Sequence, residues 1–507
     1  MNNFKTKLLK NTIWNWIFFV VNATITFLIS PLLVHYLGNE RYGFWTIAVS
    51  LIGYYGLLDI GIRNALVRYI AKYHAEKKWE KLNEVVNTGF TVFVIAACTM
   101  IILSLVLSLV APKIFSLSTL LINDAKLTIL IVGITFAIQF PLNALSGILI
   151  ALQRFDITSK INIIMVIIQN LFIFIALKNG FGLVTIALII GLGGITALFQ
   201  MAFRGIASLK GLKLRITLPS KFIILELLGY SFFVFIIGLA GRIFSYTTPI
   251  IIGARLDLPS VAFYSIPVMM VTYATNIVYN FCRVLQPYAS STNALGNEDQ
   301  LQQTTLWSTR ISLLIYLPIA VLICFIGKDF IRIWIRGDFA EAAKVILPII
   351  ACTTIFSVAE MPLENILMGI GKVRLLSVVL ISESVISIIL IIILLPLQGL
   401  VGAAWGTGIP LVISRGIVIP LFACKILKIR FRIYYWEGVG RSLLLILPLI
   451  AITLLLNQLI PITYYGNLMV ISVITLLTWG ILILMLTPDG RLIYKNISQR
   501  FFERKIN

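Results

Sequence analysis

The chain is poor in the groups that water-soluble catalysis draws on. Only 12% of its 507 residues are charged, it has two histidines, and 41 lysines and arginines outnumber 20 acidic residues. His35 and His74 stand 39 residues apart and, by the topology below, on opposite membrane sides, which excludes a histidine-rich zinc site. Cys98, Cys282, Cys324, Cys352 and Cys424 lie in or beside apolar runs without CxxC spacing. They read as small buried hydrophobes, not as a disulfide frame or a metal set. P-loop, GxSxG and HExxH patterns are absent, so neither ATP-driven transport by this chain alone nor hydrolase chemistry has support. Gly191, Gly193 and Gly194 sit inside an apolar run and read as close helix packing rather than a nucleotide loop. No metal, no catalytic residue and no bound cofactor are expected.

Apolar length is what the chain has. Hydrophobic residues make up 59% of it, and the mean hydropathy is +1.00. A crossing of the bilayer core takes about 20 apolar residues. By sliding window roughly fourteen such spans fit, which predicts an all-α integral membrane protein. The first, about Trp14 to Tyr36, is too long for a cleavable signal peptide and no small-residue cleavage site follows it.

A net charge of +21 would suit nucleic acid if it formed one patch. Instead the charges sit in short loops and alternate by side. Lys5, Lys7 and Lys10 share a face with Lys77, Lys78 and Lys81, the Arg204 to Lys221 loop, the Lys425 to Arg432 loop and the tail Arg491 to Lys505. That face collects 26 lysines and arginines, against 9 on the other, including Arg41, Lys113, Arg255 and Lys328. The bias places both termini in the cytoplasm, with an even number of spans.

The spans also repeat. Pro31-Leu32-Leu33 and Gly43-Phe44-Trp45 match Pro249-Ile250-Ile251 and Ala262-Phe263-Tyr264. Pro141-Leu142-Asn143 matches Pro362-Leu363-Glu364, and Gly182-Leu183-Val184 matches Gly399-Leu400-Val401. The offsets are 218, 219, 221 and 217 residues, in order. Two six-span bundles, 1–204 and 222–424, are predicted, related as parallel repeats with a V-shaped cleft between them. A basic cytoplasmic linker, 205–221, joins them. The remainder, 425–507, holds a second linker, two extra spans and a tail. The polar stretch Arg68 to Asn87 reads as an amphipathic helix along the interface, and Ser290 to Thr305 as a flexible loop.

Charge inside a span costs about 2.5–3.5 kcal/mol on insertion scales, so such residues face a cavity or a partner. Asp59 and Arg63, four apart, share a helix face and can pair. Glu360 and Glu364 bracket Pro362, which frees backbone carbonyls; together with Asp59 they are candidates for proton or sodium coupling. A structural pairing with Arg415 or Arg310 is the plainer reading. Arg242 has no carboxylate within two turns, which suits an anionic head group, although a distant partner such as Asp59 stays open. Arg63 and Arg283 join it as candidate anion contacts. Asn15, Asn22, Tyr273, Asn276 and Asn280 offer amides and a phenol to sugar hydroxyls and faces; interhelical hydrogen bonding is the alternative.

The run Leu37-Gly38-Asn39-Glu40-Arg41-Tyr42-Gly43-Phe44-Trp45, with Leu57-Leu58-Asp59-Ile60-Gly61-Ile62 and Arg68-Tyr69-Ile70-Ala71, carries a family pattern. Gly327-Lys328-Asp329 with Trp334 adds to it. Together they resemble the polysaccharide-transport branch of the multidrug/oligosaccharidyl-lipid/polysaccharide exporter superfamily, in particular the Wzx-type flippases of O-antigen and capsule pathways. The resemblance covers the whole chain in its six-plus-six-plus-two span arrangement. It resembles lipid II flippases in span number, but its first span carries no arginine.

The resemblance implies a flippase of the bacterial cytoplasmic membrane. Such a protein carries undecaprenyl-diphosphate-linked oligosaccharide to the outer leaflet by alternating access, commonly ion-coupled, with a cationic cleft. Membrane lipid, a polysaccharide polymerase and other glycan-assembly proteins are its implied partners. An ion-coupled exporter of drugs or metabolites is the competing reading, and would favour an acidic cleft. A membrane glycan polymerase or ligase would need a large outside loop, and the outside loops here are short.

Overall fold

The computed structural model describes residues 2–59, 61–115, 117–209, 211–216, 232–335 and 338–486. All regular structure among these residues is helical. Among the described residues, thirteen helices are long and apolar enough to cross a membrane. The first candidate, Ile13–Asp59, runs for 47 residues, about twice what one crossing needs. It lies mostly in α1 (Asn2–Gly53), which is broken at Gly38, where φ is 77° and ψ 167°. Only glycine adopts that backbone without strain, so the break divides α1 into two crossings and the total agrees with fourteen. The chain is a multi-pass membrane protein.

Two compact units form, Met1–Ala262 and Phe263–Asn507. The first contains α1, a 3-10 segment (Tyr54–Asp59), α2 (Ile62–Ala75), α3 (Trp79–Ile114), α4 (Thr119–Ala151), α5 (Phe155–Lys178), α6 (Leu183–Ala207) and α7 (Phe232–Arg255). Its core gathers Leu66, Ile70, Leu82, Phe93, Met100, Phe140 and Ile148. Small residues let the helices close up. A Cβ on Gly133 would strike Ser104, and one on Gly191 would strike Thr135. The glycines of α6 are therefore packing residues, and Gln139 Nε2 donates to Gly191 O at 3.3 Å across that approach.

The second unit begins within α8 (Leu258–Cys282) and continues through α9 (Leu285–Ala294), α10 (Glu298–Trp334), α11 (Phe339–Gly369), α12 (Val373–Gln398) and α13 (Leu400–Ile413). A π-helical turn, Ser414–Val418, leads into α14 (Ile419–Ile426). The two extra spans follow, with α15 (Ile446–Leu459) and α16 (Tyr465–Leu486). They are fixed to α10: Trp479 is buried, and its Nε1 donates to Leu314 O at 2.8 Å.

The helix junctions carry the repeat in backbone form. Lys78 N–H bonds Tyr73 O at 2.9 Å and Asn297 N–H bonds Thr292 O at 3.3 Å, an offset of 219 residues. Arg154 N–H bonds Leu149 O at 2.8 Å and Lys372 N–H bonds Leu367 O at 2.9 Å, an offset of 218. Each is a Schellman closure, which needs a left-handed residue just past the helix end. Gly296 and Gly371 supply it in the second unit, whereas Lys77 (φ 56°) and Gln153 (φ 55°) do so in the first.

Two sequence expectations change. Arg68 to Asn87 is not one interfacial helix: it is the end of α2, a tight turn and the start of α3, with Leu82, Val85 and Val86 buried in the core. Ser290 to Thr305 is likewise helix, turn and helix, closed by Asn297 accepting from Gln300 N–H at 3.1 Å.

Part of the linker is held against α3. Asn83 accepts from Lys213 N–H at 2.9 Å and donates to Gly211 O at 3.5 Å. Asn87 accepts from Arg215 N–H at 2.9 Å and donates to Lys213 O at 3.0 Å. The four residues from Asn83 to Asn87 rise about 6 Å along the helix, close to two residues of extended chain, so the registers agree. Linker residues 217–221, Phe222 and the tail Arg491 to Lys505 lie outside the described residues.

Candidate functional site

In the first unit the α1 helix tightens into the 3-10 segment Tyr54–Asp59 and stops, and α2 starts afresh after Gly61 at φ 77°. Asp59 and Arg63 therefore do not share one continuous helix face. The Asp59 carboxylate instead caps α2, accepting Arg63 N–H at 2.9 Å. An aspartate in that role satisfies a helix-terminal donor that otherwise has none.

Arg242, on α7, reaches the same break. Its Nη1 donates to Gly53 O at 2.8 Å. Glycine is required on the facing segment. A Cβ on Gly56 would overlap the Arg242 guanidinium, and one on Gly53 would overlap the Tyr246 ring. Tyr54 and Thr247 join hydroxyl to hydroxyl beside it, with the Tyr54 and Tyr246 rings 6.2 Å apart. The charges of both Arg63 and Arg242 act on Asp59. Two guanidiniums and one carboxylate thus meet at a broken helix, with a net positive charge. Both arginines are half-buried, and a half-buried cationic pair of this kind can take an anion.

The second unit holds a cluster of opposite sign. Arg415, in the π-helical turn, bonds Glu383 through Nε at 3.1 and 3.2 Å, and through Nη1 donates to Ser357 Oγ at 3.1 Å. Ser414 Oγ donates to the same Glu383 carboxylate. Glu360 is fully buried, lies 3.7 Å from Arg415 Nη1, and neither of its oxygens has a hydrogen-bond partner among the described residues. Glu364, one turn further on α11, acts on Arg415 through its charge as well. One arginine faces three carboxylates. Burying two excess negative charges costs several kcal/mol per ion, so this cluster requires protons or a cation to be stable. Arg310 takes no part through its Nε, which donates to Glu437 O at 3.3 Å.

The remaining candidates divide. Tyr273, Asn276, Asn280 and Arg283 fall within one stripe along α8 and its end, with Arg283 exposed and the other three half-buried. Asn22 is half-buried on α1. Asn15 is engaged between helices, accepting from Ser159 Oγ of α5 at 3.1 Å. The sequence reading did not single out Gly53, Gly56, Tyr54, Thr247, Ser357 or Ser414. Their roles come from packing across 31 to 193 residues of chain, which no local spacing encodes.

The profile of the polysaccharide biosynthesis protein family matches residues 8–293, more than half of the chain, and that of the MatE family matches residues 236–393. The "Putative O-antigen transporter" of Shigella flexneri is 29% identical over 153 residues, 30% of this chain and 36% of that protein, so little more than a third of that relative is spanned. Among solved structures, "Lipid II flippase MurJ, inward closed conformation" superposes with a TM-score of 0.70 at 16% identity, covering 93% of this chain and 97% of that one. An inward-facing multidrug resistance MATE family transporter of the MOP superfamily gives a TM-score of 0.68 at 16% identity, covering 81% of this chain and 98% of that one. At these identities the two structures share the fold. The chain belongs to the polysaccharide biosynthesis protein family.

Proposed function

We propose that this transporter is a flippase for undecaprenyl-diphosphate-linked oligosaccharide, moving the head group to the outer leaflet while the polyprenyl tail stays in the bilayer. The observation that carries this reading is the Arg63 and Arg242 pair around Asp59 at the broken helix. A diphosphate crossing the bilayer loses its hydration, and guanidinium forks offset that loss. The stripe Tyr273, Asn276, Asn280 and Arg283 supplies donors, acceptors and an aromatic face suited to the sugars. The name of the Shigella flexneri relative supports a glycan cargo. Coupling to protons or sodium falls to Glu360 and Glu364 with Glu383 and Arg415, since that cluster needs a positive charge to be stable. The two repeated halves of the chain act as the moving bundles, with both termini on the cytoplasmic side of the inner membrane.

Deleting the gene in its host tests this. Loss of surface polysaccharide, with lipid-linked glycan building up on the cytoplasmic leaflet and rescue by the wild-type chain but not by Arg242→Ala, is expected. Arg242→Lys, which keeps the charge but loses the fork, rescues in part. An exporter of cationic drugs is the competing reading, which the acidic cluster of the second unit favours. Normal surface glycan together with new drug sensitivity would establish that reading instead.

A further inference from the structure

The segment after α14 joins two candidate spans, Leu400–Ile426 and Phe431–Leu459, and runs into the first turns of the second, at the membrane boundary. It is densely basic, with Lys425, Lys428, Arg430 and Arg432 within eight residues. Phe431–Ile433 opens a short π-helical turn, Tyr434–Gly440. π-Helical winding is rare and recurs at functional sites.

One face of this turn is fixed to the second unit. Tyr434 is 1% exposed and its hydroxyl donates to Ala359 O at 3.0 Å. The carbonyl of Glu437 accepts from Arg310, and Val439 is buried. The other face is uncovered. Phe431 is 38% exposed, Trp436 56%, and Arg430 and Arg432 are exposed beside them. A cavity of about 610 Å³ opens on that face, lined by Phe431, Arg432, Ile433, Tyr435, Trp436 and Glu437. Its size falls in the range of small-molecule sites. The backbone of the turn is held from behind by Tyr434, Val439 and the Glu437 carbonyl, so the cavity sits on a fixed turn rather than a loose basic loop.

The chemistry of the lining selects the occupant. An exposed tryptophan, Trp436, beside the half-buried Tyr435 at a span boundary favours the lipid headgroup level. Guanidinium forks match phosphate oxygens, and each surface cation adds to the affinity for an anionic leaflet. Lys428 is committed to Glu298 at 2.7 Å; of the other cations Arg432 lines the cavity and Arg430 is exposed beside it. We propose that this turn is a binding site for an anionic phospholipid, with Arg432 and Arg430 on the phosphate and Phe431, Ile433 and Trp436 against the glycerol and upper acyl chain. The inference stands apart from the cargo reading, because it uses none of the same residues.

The test uses the full chain, purified in detergent and titrated with phosphatidylglycerol or phosphatidylcholine, with bound lipid counted by native mass spectrometry. Phosphatidylglycerol should be retained and should raise the unfolding temperature; phosphatidylcholine should do neither. The double variant Arg430→Gln, Arg432→Gln should weaken phosphatidylglycerol retention about thirtyfold, the loss of two surface cations. Both positions are exposed, so its lipid-free unfolding temperature should match wild type. Lys113→Gln with Lys126→Gln removes two cations from the first unit and should retain the lipid as wild type does. Equal retention by the Arg430→Gln, Arg432→Gln variant, or equal retention of both lipids by wild type, would overturn the proposal.

Discussion

Replacing Gly56 with alanine should disable Arg242 without touching it. A Cβ at that position would stand within impossible distance of Cζ, Nη1 and Nη2 of the guanidinium, so Arg242 has to leave Gly53 O, now 2.8 Å away. The lost bond has a charged donor, worth about 1.5–3 kcal/mol. At 1.4 kcal/mol per decade that is about a 10- to 150-fold loss in any step that needs the guanidinium in place. Gly241→Ala is the control. It neighbours Arg242 on α7, its Cβ would meet nothing within 4 Å, and alanine favours the helix by roughly 0.5–1 kcal/mol. The assay is head-group translocation by purified protein in vesicles, at substrate below saturation, alongside thermal unfolding. Slow transport by Gly56→Ala with wild-type transport by Gly241→Ala is expected. If Gly56→Ala transports at the wild-type rate while Arg242→Ala does not, the argument for how Arg242 is positioned fails.

Three further outcomes follow from the same structure. Lys77→Gly and Gln153→Gly relieve left-handed strain of about 1–2 kcal/mol each, partly offset by chain entropy, and should raise stability by about 0.5–1 kcal/mol apiece in thermal unfolding; destabilisation would contradict the Schellman assignment. Arg415→Met leaves Glu383 and its neighbours without their cation and should cost about 3–5 kcal/mol, with Glu383→Met in the same chain recovering much of it. Asn83→Ala with Asn87→Ala should expose the Lys213 and Arg215 amides to rapid hydrogen exchange while core amides of α3 stay protected; unchanged protection would mean that something else holds the linker.

What could be read from the letters was whatever depends on composition and period. Long apolar runs gave the crossings, and Pro141 against Pro362 marked a repeat whose backbone signature recurs at Lys78 and Asn297. Intramembrane charges were visible because each is costly in lipid. Their partners were not. Arg415 prefers Glu383, 32 residues away on another helix, over Glu360, and only packing makes that choice. Asp59 and Arg63 suggested a helical pair because spacing assumes an unbroken helix. Gly61, at a positive φ, turns the same spacing into a cap. The service of Gly56 as room for a guanidinium likewise exists only once α7 lies against the 3-10 segment.

The most direct test of the central claim is translocation by the purified chain alone, in vesicles loaded with fluorescent undecaprenyl-diphosphate oligosaccharide on one leaflet. The account predicts movement of the head group to the other leaflet, abolished by Arg242→Ala. Vesicles in which wild-type protein moves no lipid-linked glycan, under either a proton or a sodium gradient, would contradict it.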